Sequence, residues 1–187
     1  SILFNQPGFI NATDNKRLQI NATPVTGDPL NESLITGNRL GLLGIELESR
    51  RRNRLSTSIS HASDKGLELT INQAFGNCPQ YIQHRELHSI DPLSMAPAAY
   101  ENLTELDQQA IDLVSNSDTF FVASYIANSS HAASEGADVS HRGGKPGFIR
   151  VDDTQSLTIP DYLGNFHFNT LGNFLENAKA GLLFIDF

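Results

Sequence analysis

Along much of the chain apolar and polar positions alternate, the period of a strand with one buried face. Residues 8–12 and 17–23 alternate on either side of Thr13-Asp14-Asn15-Lys16, which predicts a β-hairpin. Residues 147–151 and 156–160 predict a second hairpin, turning at Asp152-Asp153-Thr154-Gln155. Further strands are predicted over 40–47, 54–60, 67–73, 119–126 and 181–187, with turn formers such as Ser63-Asp64-Lys65-Gly66 between them. Helical periodicity runs through 104–115, where Leu106, Ala110, Leu113 and Val114 share a face, Thr104 can cap and Asp107 takes the third helical position. Shorter helices are expected over 170–177 and from Pro79 to about Glu86. The stretch 127–145, rich in Ser, Ala, Gly and His, is expected to be a mobile loop. Strands dominate, and the strand–helix alternation of a parallel sheet is missing. The expected fold is therefore mainly β, an antiparallel barrel with helical additions.

The same pattern is written twice. Pro7-Gly8-Phe9-Ile10 recurs as Pro146-Gly147-Phe148-Ile149, and at the same offset Asp14, Leu18 and Ile20 fall on Asp153, Leu157 and Ile159. With one inserted residue, Gly41-Leu42-Leu43-Gly44-Ile45-Glu46 falls on Gly181-Leu182-Leu183-Phe184-Ile185-Asp186. Ordered matches of this kind predict a tandem half-repeat. The reading divides the chain into a first barrel portion (1–75), a helical connection (76–117) and a second, truncated portion (118–187), with further sequence expected beyond both ends.

Composition narrows the partners. Thirteen Lys and Arg against 21 Asp and Glu give a net charge of −8, which disfavours nucleic acid or an anionic membrane as a partner. Any phosphate must be gripped locally. A single cysteine, Cys78, excludes an internal disulfide framework and a cysteine–metal cluster, and suits a cytoplasmic setting. Sequons begin at Asn11, Asn21, Asn31, Asn102 and Asn128, but no signal segment or cysteine pairing accompanies them.

Three segments carry a resemblance to a known family: residues 118–187, with DTFFVASY, GADVSHRGGKPGFIRV and LTIPDYLGNFHFNTLGNFLENAKAGLLFIDF; FGNCPQYIQHR at 75–85; and the arginine run at 50–54. Together they resemble the flavin-mononucleotide-binding split-barrel proteins related to pyridoxamine 5'-phosphate oxidase. The resemblance implies an antiparallel split β-barrel that holds FMN between two barrels, supplied by a homodimer or by an intrachain pseudo-dimer. It also implies that the strand after the Gly144-Lys145-Pro146 turn, with Phe148, Ile149, Arg150 and Val151, runs along the flavin. Pro160, Asp161 and Asn165 follow in the next connection. Two departures stand out: Asn169, Thr170 and Asn173 occupy the segment where the oxidase has a phosphate-binding lysine, and Arg150 lies one place later than the oxidase's arginine.

The residues themselves suggest three candidate groups. Asn169-Thr170-Leu171-Gly172-Asn173 opens a predicted helix, where unpaired N–H groups favour an anion, although the same residues make an ordinary capped helix. Ser140-His141-Arg142-Gly143-Gly144 sets a hydroxyl, an imidazole and a guanidinium before a glycine pair, which can contact a flavin or form a polar hairpin turn. In Arg50-Arg51-Arg52-Asn53-Arg54, alternation turns Arg52 and Arg54 to one face, suited to a phosphate or to guarding an edge strand. Cys78 could touch the flavin, but a lone cysteine more often reads as a small buried residue, and His84 with Arg85 and Glu86 before His88 forms no metalloprotease motif, so no metal site is expected. The leading expectation is an FMN-dependent oxidoreductase using a nicotinamide donor or a fused redox domain. The alternatives are a non-catalytic flavin-binding or scaffold module and a secreted glycoprotein interaction domain.

Overall fold

The computed structural model describes residues 1–3, 5–76, 78–88, 100–126, 136–164 and 167–187. Its strands run β1 (Ile10–Ala12), β2 (Arg17–Ile20), β3 (Arg39–Glu46), β4 (Arg51–Ser63), β5 (Gly66–Gly76), β6 (Thr119–Ile126), β7 (Gly136–Gly143), β8 (Arg150–Asp153), β9 (Ser156–Thr158) and β10 (Gly181–Phe184). The helices are α1 (Gln108–Asn116) and α2 (Asn169–Glu176). The fold is mainly β with antiparallel pairing throughout, as the period-2 pattern predicts. The described strands lie in three sheets, ordered β1-β2-β5-β4-β3, β10-β6-β7 and β8-β9, and do not close into a barrel.

Both halves of the repeat take the same local shape. Phe9 N–H donates to the Gln6 carbonyl at 3.2 Å and Phe148 N–H to the Lys145 carbonyl at 2.9 Å. The glycine between has a positive φ in each case, 93° at Gly8 and 84° at Gly147. A proline followed by a left-handed glycine is the residue pair such a turn requires. The repeated aspartates are explained in the same way. Lys16 N–H donates to Asp14 Oδ1 and Gln155 N–H to Asp153 Oδ1, both at 2.8 Å, so each hairpin is turned by its own aspartate.

The repeated apolar residues seed two cores. Phe9 and Leu18 pack against the cluster of Ile20, Ala22, Ile59, Leu67 and Leu69. Their counterparts Phe148, Leu157 and Ile159 pack against Val114, Phe120, Val122 and Ile149. The sheets meet where β3 and β4 pack on β7. A Cβ at Gly41 would lie 3.0 Å from backbone atoms of Ala137 and Asp138, so glycine permits that approach.

Three expectations are corrected. Residues 136–143 are strand β7, not part of a loop, because pairing with β6 along its whole length satisfies a backbone whose small residues gave little propensity signal; residues 127–135 lie outside the description. Residues 80–88 form a turn and irregular backbone, not a helix: Tyr81 adopts φ 65°, which a helix cannot contain. Helix α1 starts later than expected, capped by Asp107, whose carboxylate accepts from Ala110 N–H at 2.8 Å. The preceding turn is drawn away by the second hairpin, for Leu106 N–H donates to the Thr154 carbonyl and Glu105 accepts from Thr154 and Gln155.

Candidate functional site

A cavity of about 300 Å³ opens where β4, β7, the chain after β5 and the approach to α2 converge. Strand β4 supplies Arg52 and Arg54, turned to one face by alternation. Strand β7 supplies Ser140, His141, Arg142 and Gly143. Residues more than 80 positions apart are thus brought together, and Phe148, Pro160, Asp161 and Leu171 complete the part of the lining that sequence reasoning named.

Aromatic rings form another wall. Tyr81 and Tyr162 have centroids 5.6 Å apart, and Phe148 lies 6.3 Å from Tyr162 in a stacked arrangement. The Tyr81 hydroxyl donates to the Leu163 carbonyl at 2.9 Å. The Tyr81 backbone is left-handed, at φ 65°, uncommon for a bulky residue and of the kind that gathers at ligand sites. Sequence reasoning missed Tyr81, Tyr162, Leu163 and His167, all of which line the cavity. Tyr81 belonged to a segment read as helix, so its role carried no signal of its own. Cys78, read as buried, is exposed and also lines the cavity.

Charge is distributed unevenly. Arg54 is 4% exposed and paired with Asp138, which also accepts from Thr170 Oγ1 at 3.1 Å. Arg142 pairs with Asp161 at 2.9 Å. Among the described residues Arg52 has no carboxylate partner: its Nε is without a hydrogen bond, and its Nη1 donates to the His141 carbonyl at 3.5 Å. Burial first, and the nearby Arg54 second, lower the Arg52 pKa from the usual arginine value. His141 is 4% exposed, and neither ring nitrogen has a hydrogen-bond partner among the described residues. Burial, then Arg52 and Arg85, push its pKa down to about 4, so it is neutral at pH 7.

The other expected residues lie elsewhere. Ile149 and Val151 belong to the second core cluster. Arg150 points outward and bonds Asp152 at 2.5 Å and Thr158 at 3.1 Å, as the strand's alternation requires of a neighbour of buried Ile149. Thr170 and Asn173 are buried and committed to Asp138 and Ser124. Asn169 and Gly172 do not line the cavity, and Asn165 lies outside the described residues. Among the described residues there is no cluster of potential metal ligands and no helix long and apolar enough to cross a membrane. Comparison with family models, curated proteins and solved structures returns no match to the chain.

Proposed function

We propose that the chain is an FMN-binding protein of split-barrel type, related to pyridoxamine 5'-phosphate oxidase, with the flavin held in the cavity between β4, β7 and α2. The observation that carries this is the pairing of unmatched cationic and imidazole groups with aromatic rings in one recess. Arg52 Nε and the His141 ring nitrogens are buried polar groups without partners among the described residues, and such groups are costly unless a ligand satisfies them. A phosphate needs several donors around its oxygens. Arg52 can supply a guanidinium, Arg142 a second one shared with Asp161, and Ser140 a hydroxyl. The faces of Tyr81, Phe148 and Tyr162 suit a flat heteroaromatic ring. Thr170 and Asn173 are left to hold the fold.

When bound, the flavin supplies hydride or electron transfer, and the protein positions it and excludes water. We read the activity as that of an oxidoreductase whose donor is a nicotinamide nucleotide or a joined redox domain, in a monomeric pseudo-dimer or a homodimer. The test is to titrate the purified chain with FMN and follow quenching of flavin fluorescence, with mass spectrometry of any ligand released on denaturation. Saturable quenching weakened by Arg52→Ala supports the reading, and absence of quenching together with a colourless protein sinks it. Reduction of the bound flavin by a nicotinamide donor separates an enzyme from a storage or scaffold module.

A further inference from the structure

The His141 imidazole is packed into the fold without a hydrogen bond from its ring among the described residues. It stands edge-on to Phe121 on β6, with centroids 5.7 Å apart at 72°. Yet both its nitrogens are buried at the cavity wall without a hydrogen-bond partner among the described residues, a cost a satisfied core histidine would not carry. The charged groups nearest it come from several elements: Arg52 on β4, Arg85 in the chain after β5, Asp118 ahead of β6, and Arg142 on its own strand. Arg85 is paired with Asp118 at 2.6 Å. Across the cavity stand Arg54, held by Asp138, together with Asp161, His167, Cys78, Tyr81 and Tyr162. Burial, and after it the excess of cations over carboxylates around the ring, keeps it neutral.

An anion entering the recess reverses that balance. It offsets the field of Arg52 and Arg142, and it offers acceptors that the protonated ring can meet with two N–H donors in place of one. We propose that His141 takes up a proton from solvent when an anion enters the cavity, so that the site holds anions more tightly as pH falls. The inference rests on the reading of this recess as a site for an anionic ligand; in the step an N–H bond forms on the ring as an O–H bond of hydronium breaks, leaving water. In the free protein His141 is neutral above about pH 4. In the complex its pKa is raised, and between the two values binding consumes a proton. The internal repeat supplies a contrast: the position that matches His141 in the first copy is Ile2, although the turn that follows is built alike in both.

Sulfate is the probe, because it stays dianionic across the range tested. Its affinity is measured by calorimetry from pH 5 to pH 8, in buffers of differing ionisation heat that report proton uptake directly. The expected result is an affinity falling by up to about tenfold per pH unit over part of the range, with matching proton uptake. Both should vanish in His141→Asn and persist in His167→Asn. A flat profile in the unaltered chain, or a slope that follows His167, overturns the proposal. Should His141→Asn fail to fold, histidine-selective NMR of the unaltered chain decides: the His141 pKa must climb by at least about one unit on saturation with sulfate, and an unmoved resonance overturns it. Flavin titration at pH 8 separates the two ideas. Tight FMN binding beside a flat sulfate profile removes only the proton linkage, whereas His141-linked sulfate binding without FMN binding removes only the flavin reading.

Discussion

Arg54 and Asp138 meet in the interior with Nε 3.1 Å from Oδ1, and so tie β4 to β7 across 84 positions of chain. Thr170 adds α2 to the same carboxylate. One aspartate therefore braces three of the elements around the cavity and cancels the most deeply buried arginine, while Arg52, also in the cavity wall, has no carboxylate partner among the described residues.

Removing one member of that pair strands the other in a low-dielectric site, a loss of about 3–5 kcal/mol for buried pairs. Asp138→Ala is expected to lower stability by that amount in urea denaturation. A combined Arg54→Leu and Asp138→Leu variant should lose less than the two single variants summed. Strict additivity would show that the pair is not coupled.

Arg52 and Arg150 make opposite predictions for ligand binding. A charge-assisted hydrogen bond is worth about 1.5–3 kcal/mol, so Arg52→Ala should weaken FMN binding roughly tenfold to a hundredfold. Arg150→Ala should leave it unchanged, because that side chain is 72% exposed and engaged with Asp152. Equal effects in fluorescence titration would place the ligand on the outer face of β8.

Stability should depend on pH through His141. Its folded pKa of about 4 lies below the ordinary histidine value of 6.5, so the unfolded chain binds the extra proton first. Stability is then unaffected above about pH 6.5 and is lost as pH falls from there to about 4, by roughly 3 kcal/mol in total. His141→Asn should flatten this slope in denaturation series between pH 4 and 7.

Two glycines in one short stretch should respond very differently to alanine. A Cβ at Gly143 would sit 2.1 Å from the Tyr81 carbonyl oxygen, so backbone must move at the cavity wall. At Gly147 the added methyl meets nothing within 4 Å, and only the left-handed backbone resists it. Gly147→Ala should cost about 1–2 kcal/mol and keep the cavity. Gly143→Ala should lose more stability and FMN binding together.

The corrected cap gives a final contrast. Asp107→Ala should destabilise the protein by about 1 kcal/mol, the usual worth of an N-cap, while Thr104→Ala should be close to neutral in thermal unfolding.

Most of the strands and both hairpins were legible in the sequence, because a half-buried strand must alternate and a tight turn must use Pro, Gly or Asp. The repeat was legible for the same reason: Gly8 and Gly147, Asp14 and Asp153, perform one local task in two places, and a local task leaves a local signature. Alternation also placed Arg52 and Arg54 on one face. What only the tertiary structure decided is which long-range partners those residues meet. Strand β7 became a strand because β6 offered it hydrogen bonds. Thr170 became structural because Asp138 lies beneath it. Tyr81 became a wall of the cavity because Tyr162 and Leu163 reach it from far along the chain. Each of these depends on a neighbour distant in sequence, and the energy of such a contact is set by the packing of the whole chain, to which no short pattern has access.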